Sequence, residues 1–188
     1  MTPDPRTRRR LAALAAAVIA LATAPSFGTV ARALTLEQLT RASRAVVVGV
    51  PGPPRTERDA AGRIVRRVPF AVGEIVAGDA PAKPVITLLG GELDGAGTWV
   101  PGEAALPAGE ECLVFLAEAG DGALRVTGME QGRFAIAVAP RSRERFVART
   151  AGRWLPAAGR DELGVHRPRT SIFVPFDEVA DAVRAAAA

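Results

Sequence analysis

Asparagine and tyrosine are absent from these 188 residues, and cysteine, histidine and lysine occur once each, as Cys112, His166 and Lys83. A single cysteine excludes an intramolecular disulfide. A single histidine excludes zinc sites built on two or three imidazoles, and with them the H-E-x-x-H proteases. No serine after the first thirty residues sits in a G-x-S-x-G setting: Ser43, Ser142 and Ser171 all lack it. Beyond the first segment there is no apolar run long enough for a membrane span. The scarcity of lysine beside abundant arginine and alanine looks like high-GC codon bias, so arginine richness carries little functional weight.

The first segment has the plan of a secretory signal peptide. MTPDPRTRRR sets arginines ahead of LAALAAAVIALAT, too short to span a bilayer, and Ala31 and Ala33 supply the small residues that a leader peptidase reads. Cleavage is expected between Ala33 and Leu34, leaving 34–188 as one domain in the periplasm or outside the cell. Thr7-Arg8-Arg9-Arg10-Leu11 also looks like a twin-arginine signal, with an ordinary basic leader as the simpler reading. The formal charge of +4 belongs to this leader, because five of the 24 basic residues and only one of the 20 acidic ones precede Leu34. Nucleic acid as a partner would need clustered excess charge. Arg141-Ser142-Arg143-Glu144-Arg145 comes nearest, is interrupted by Glu144, and reads as a solvated turn.

From Leu34 onward the pattern is mainly β. Thr35 with Gln38 has the form of a capping box and predicts a short first helix. RAVVVGV predicts a strand closed by PGPP. GRIVRRVPFAVGEIVAGD predicts a long strand with Ile64, Val68, Phe70, Val72 and Val76 on one period-two face, Arg66 and Glu74 as polar exceptions, and Pro69 at an edge or bulge. VITLL, the central CLVFLA, LRVTGM, RFAIAV and FVART follow, with Asp121-Gly122 as a hairpin turn. The tail from about 175 to 187 predicts an amphipathic helix burying Phe176, Val179, Ala180 and Val183. Six or seven strands between two helices argue for a small β-barrel or sandwich.

The order RAVVVGV, a long strand ending EIVAGD, VITLL and then LPAGEECLVFL resembles the netrin-like module, the OB-type barrel shared with tissue inhibitors of metalloproteinases, over about Arg44–Ala117. Over most of the chain after the leader it also resembles a group of uncharacterised exported proteins of high-GC bacteria that carry a GG…G…VPG loop. The resemblance implies a small OB/netrin-like β-barrel. Ala77-Gly78 replaces the family's Lys-Gly, Cys112 stands where an aromatic is usual, and the animal module's disulfides are missing. Zinc chelation by an N-terminal cysteine, which the family's inhibitors use, does not carry over to a chain expected to begin at Leu34.

GGELDGAGTWVPGE, residues 90–103, is the candidate site. It is neither a dinucleotide fingerprint nor a P-loop, since no helix follows its glycines. Glu92-Leu93-Asp94 lacks the ladder of carboxylates that a calcium loop needs, so no metal or other cofactor is expected. Trp99, a large aromatic between turn residues, is the expected anchor for a protein partner, with Glu92, Asp94 and Glu103 at the rim. Trp99 packed over an open barrel end is the competing expectation. Cys112 paired with His166 is the one conceivable nucleophile, but a thiol in an apolar strand carries little thiolate. The function expected is therefore an exported, non-enzymatic protein-binding module, possible partners including a secreted protease. An envelope structural component is one alternative. An unrecognised hydrolase is another, because two-carboxylate glycoside chemistry needs no local motif.

Overall fold

The computed structural model describes residues 33–150 and 171–188. Residues 1–32 of the expected leader and His166 lie outside the described residues. In chain order the elements are α1 (Leu36–Arg41), β1 (Ala45–Pro51), β2 (Arg55–Arg58), β3 (Ile64–Gly78), β4 (Val85–Leu89), β5 (Gly91–Leu93), β6 (Ala96–Thr98), β7 (Cys112–Glu118), β8 (Leu124–Val126), a 3-10 turn (Met129–Gly132), β9 (Arg133–Val138), β10 (Arg145–Thr150), β11 (Ser171–Pro175) and α2 (Phe176–Ala187).

Five strands close into a barrel. β1 pairs with β3, β3 with β4, β4 with β8, β8 with β7, and β7 returns to β1; only the β4–β8 pairing is parallel. β9 continues alongside the first half of β7, and β10 and β11 extend the sheet beyond the ring. The small barrel with a short leading helix and a trailing helix is as expected from the sequence. The strand count is not. β2, β5, β6 and β11 are additional, making eleven strands among the described residues.

β1 and β7 are shared walls. Ala45 and Val47 of β1, with Cys112, Val114 and Leu116 of β7, face the barrel interior beside Val68, Phe70, Ile86, Leu88 and Val126. The alternate residues Val46, Val48, Leu113 and Phe115 face outward onto Leu39, Phe134, Val147 and the buried stripe of α2. AVVV and CLVFL are uniformly apolar because both of their faces are buried.

The helices attach by the signals in their sequences. The Thr35 hydroxyl accepts the Gln38 N–H at 3.2 Å while Gln38 Oε1 accepts the Thr35 N–H at 3.1 Å, closing the capping box. α2 buries Phe176, Val179, Ala180 and Val183. The Arg145 guanidinium stacks 3.8 Å from the Phe176 ring centroid and donates to Glu74 at 3.1 Å, with Arg184 a further 3.7 Å ion pair. Glu74, a polar exception on β3, thus marks where β3 meets α2, and Arg145 is a packing residue as well as the end of a solvated turn.

One expectation about β3 is corrected. Val76 does not share the face of Val68 and Phe70; it packs in the outer cluster with the helices. The register against β1 slips between Val46 and Val47 and again between Val48 and Gly49, so β3 carries two bulges, and each turns the following side chains over. Pro69 stands where β1 breaks off at Gly52, whose N–H donates to the Pro69 carbonyl at 2.7 Å.

Candidate binding hairpin

Residues 90–103 are a small structure in their own right. β5 and β6 pair Gly91↔Thr98, Glu92↔Gly97 and Leu93↔Ala96, leaving Asp94-Gly95 as a two-residue turn. Asp94 has φ 53° and Gly95 φ 74°, the two positive angles of a type I′ turn, whose twist matches that of paired strands. The hairpin starts by doubling back at Gly90: φ is 80°, and a Cβ there would stand 2.5 Å from the Thr98 carbonyl oxygen, so only glycine fits. Gly91 rests against β2 and β3, its would-be Cβ lying 3.1 Å from both Arg66 Cγ and Thr56 Cγ2.

Glu103 fastens the other end. One carboxylate oxygen accepts the Leu89 N–H at 2.8 Å and the other accepts its neighbour's N–H, from Ala104, at 2.9 Å. β8 meets β4 only at Ile86↔Leu124, so Leu89 lies past the reach of β8, and the side chain of Glu103 supplies the acceptor that a strand would otherwise give. Of the four residues grouped at this loop, Glu103 is half-buried and has both oxygens engaged at its base. Glu92 and Asp94 are exposed on the hairpin.

Trp99 is 76% exposed and leaves the barrel interior to other residues. Ala104 and Leu106, just downstream, are the loop residues that pack into the barrel cluster. Beside the hairpin a groove of about 370 Å³ opens between Arg58, Arg63 and Ile64 on one side and Leu89, Thr98 and Val100 on the other. Its two arginines are held in place: Arg58 donates to the Gly62 carbonyl at 3.0 Å, and Arg63 pairs with Asp59 at 2.7 Å. Phe173 on β11, 57% exposed, is a second uncovered aromatic that the sequence reading does not single out.

Cys112 is fully buried in the barrel wall. Burial pushes its thiol up to about 11, only partly offset by the charge and hydrogen bond of Arg133. Such a group is protonated at neutral pH and makes a poor nucleophile. No three His, Cys, Asp or Glu side chains among the described residues are grouped to hold a metal ion. No helix among them is long and apolar enough to cross a membrane.

No family model matches this chain, and no curated protein or solved structure is significantly similar to it.

Proposed function

We propose that this chain is an exported, non-enzymatic binding module of the OB/netrin-like type that captures a protein partner through the β5–β6 hairpin, with Trp99 as the anchor. The observation that carries the reading is the exposure of Trp99 on a loop tied to the barrel at both ends, through the Gly90 N–H to the Ile64 carbonyl and through Glu103 to the Leu89 N–H. A large ring kept in water is costly, and a tryptophan in that state is the residue type that most often dominates a binding interface. The glycine-started hairpin and the Glu103 clasp constrain the backbone that carries it, which reduces the ordering cost of association. Glu92 and Asp94 add negative charge at the rim, favouring a partner with basic groups around an apolar pocket. A closed five-stranded barrel with functional loops at its end is the scaffold that an OB-type module provides.

The test is capture of a partner from the organism's own periplasmic and secreted fractions with the purified domain, followed by the same measurement on Trp99→Ala. The substitution is expected to weaken a captured partner by about 2 kcal/mol or more while stability changes by about 1 kcal/mol or less. Unchanged capture combined with a large loss of stability would make Trp99 a packing residue and end the proposal.

A further inference from the structure

Leu34 is held on three sides. Its backbone N–H donates to Gln131 Oε1 at 2.8 Å across 97 residues of sequence. Its side chain packs on the outer core cluster and closes against Gly128, where an added Cβ would stand 2.9 Å from Leu34 Cδ1. Its chain neighbour Thr35 is the N-cap of α1. Among the described residues, every buried core residue lies between Leu39 and Val183.

From this geometry we propose that Gln131 and the surface around it form a binding seat for the chain's own α-ammonium group, created when the leader is removed between Ala33 and Leu34. The proposal rests on the export reading. Hydrolysis by a leader endopeptidase adds water across the Ala33–Leu34 amide: the oxygen goes to the Ala33 carboxylate, and the Leu34 nitrogen leaves as an amine that takes up a proton. The nitrogen that donates one neutral N–H in the uncut chain then donates from a charged group to the same Gln131 oxygen, and charge-assisted bonds are roughly twice as strong as neutral ones. Processing therefore tightens the start of α1 on the barrel, and the new terminus is directed inward rather than offered to a partner.

Four purified proteins test this: chains beginning at Leu34 or at Ala31, each with Gln131 or with Gln131→Met, which keeps the length but cannot accept a strong hydrogen bond. In denaturant unfolding, Gln131→Met is expected to lower the folding equilibrium constant about fivefold more in the Leu34 chain than in the Ala31 chain, the ratio corresponding to about 1 kcal/mol of coupling. Gln131→Glu serves if the methionine variant does not fold; its carboxylate should stabilise the Leu34 chain relative to the Ala31 chain. Equal effects in both backgrounds overturn the seat. N-terminal sequencing of the exported protein tests the leader separately, since a first residue other than Leu34 refutes the cleavage site whatever the coupling shows.

Discussion

Replacing Glu103 by alanine should loosen the barrel at one identifiable place. The carboxylate makes two hydrogen bonds to backbone N–H groups, at 2.8 Å to Leu89 and 2.9 Å to Ala104. Hydrogen bonds to a charged group contribute about 1.5–3 kcal/mol each. Leu89 is only half-buried, so water can reach its N–H once the carboxylate is gone, whereas Ala104 is buried. The lower end of the range applies at Leu89 and a value at or above it at Ala104, so the pair sums to at least about 3 kcal/mol. For a domain of this size each kcal/mol moves the melting temperature by about 2–4 °C, which gives a fall on the order of 6–12 °C. Thermal unfolding followed by far-UV circular dichroism measures it. Glu103→Gln should lie between the two, because its one amide oxygen can accept one N–H while its NH2 group confronts the other. A melting temperature within about 1 °C of the parent for Glu103→Ala would refute the reasoning, since it would mean that the loop holds its shape without the clasp.

Two other perturbations bear on the barrel. Cys112 is protonated in the folded state up to about pH 11 against an ordinary value of 9.0, so the part of the domain's stability that depends on the neutral thiol should be fully present below pH 9 and lost as the pH rises through 11. Cys112→Ala should flatten that part of the stability profile, and a native thiol labelled at once at pH 7 would contradict the burial. Gly49→Ala should destabilise by about 3 kcal/mol in urea titration, because the new methyl would stand 2.2 Å from the Ala71 carbonyl oxygen and 2.6 Å from the Phe70 ring; full tolerance would show that β1 and β3 can separate at no cost.

What could be read in the sequence follows from which signals are local. The capping box at Thr35 and the stripe of α2 depend only on neighbours along the chain, and they are legible. Val76 is misread because a bulge is defined by the partner strand: nothing in EIVAG shows that β1 skips a residue opposite it. β2 is missed because Arg55-Thr56-Glu57-Arg58 has no apolar face, and it is a strand by virtue of pairing with β3. The β5–β6 hairpin was within reach. Asp94-Gly95 is the same turn signal as Asp121-Gly122, but Gly-Glu-Leu and Ala-Gly-Thr on its flanks lack the β-branched alternation that marks strands. At the candidate site the residue types were informative and their tasks were not. Glu103 and Glu92 are the same residue in the same loop, and only the approach of Leu89, fourteen positions earlier, separates an internal clasp from an exposed carboxylate.

The hairpin sits where the barrel is least tightly sewn. Four of its five seams are antiparallel ladders of three or more paired residues, while β4 and β8 share a single parallel pair at Ile86↔Leu124. The backbone beyond that pair is completed by Glu103 and by the chain that runs out from Leu89 into β5. A partner gripping Trp99 would therefore pull on the same segment that closes this seam, whereas a partner on the far face of β9–β11 would not. Glu103 couples the loop to the barrel, whereas Trp99 is exposed and belongs to neither core cluster, which is what the proposed anchor requires. If Trp99 is the anchor proposed above, stability and capture should respond to different substitutions within five positions of one another, because the carboxylate that holds the loop's shape and the exposed ring belong to different side chains.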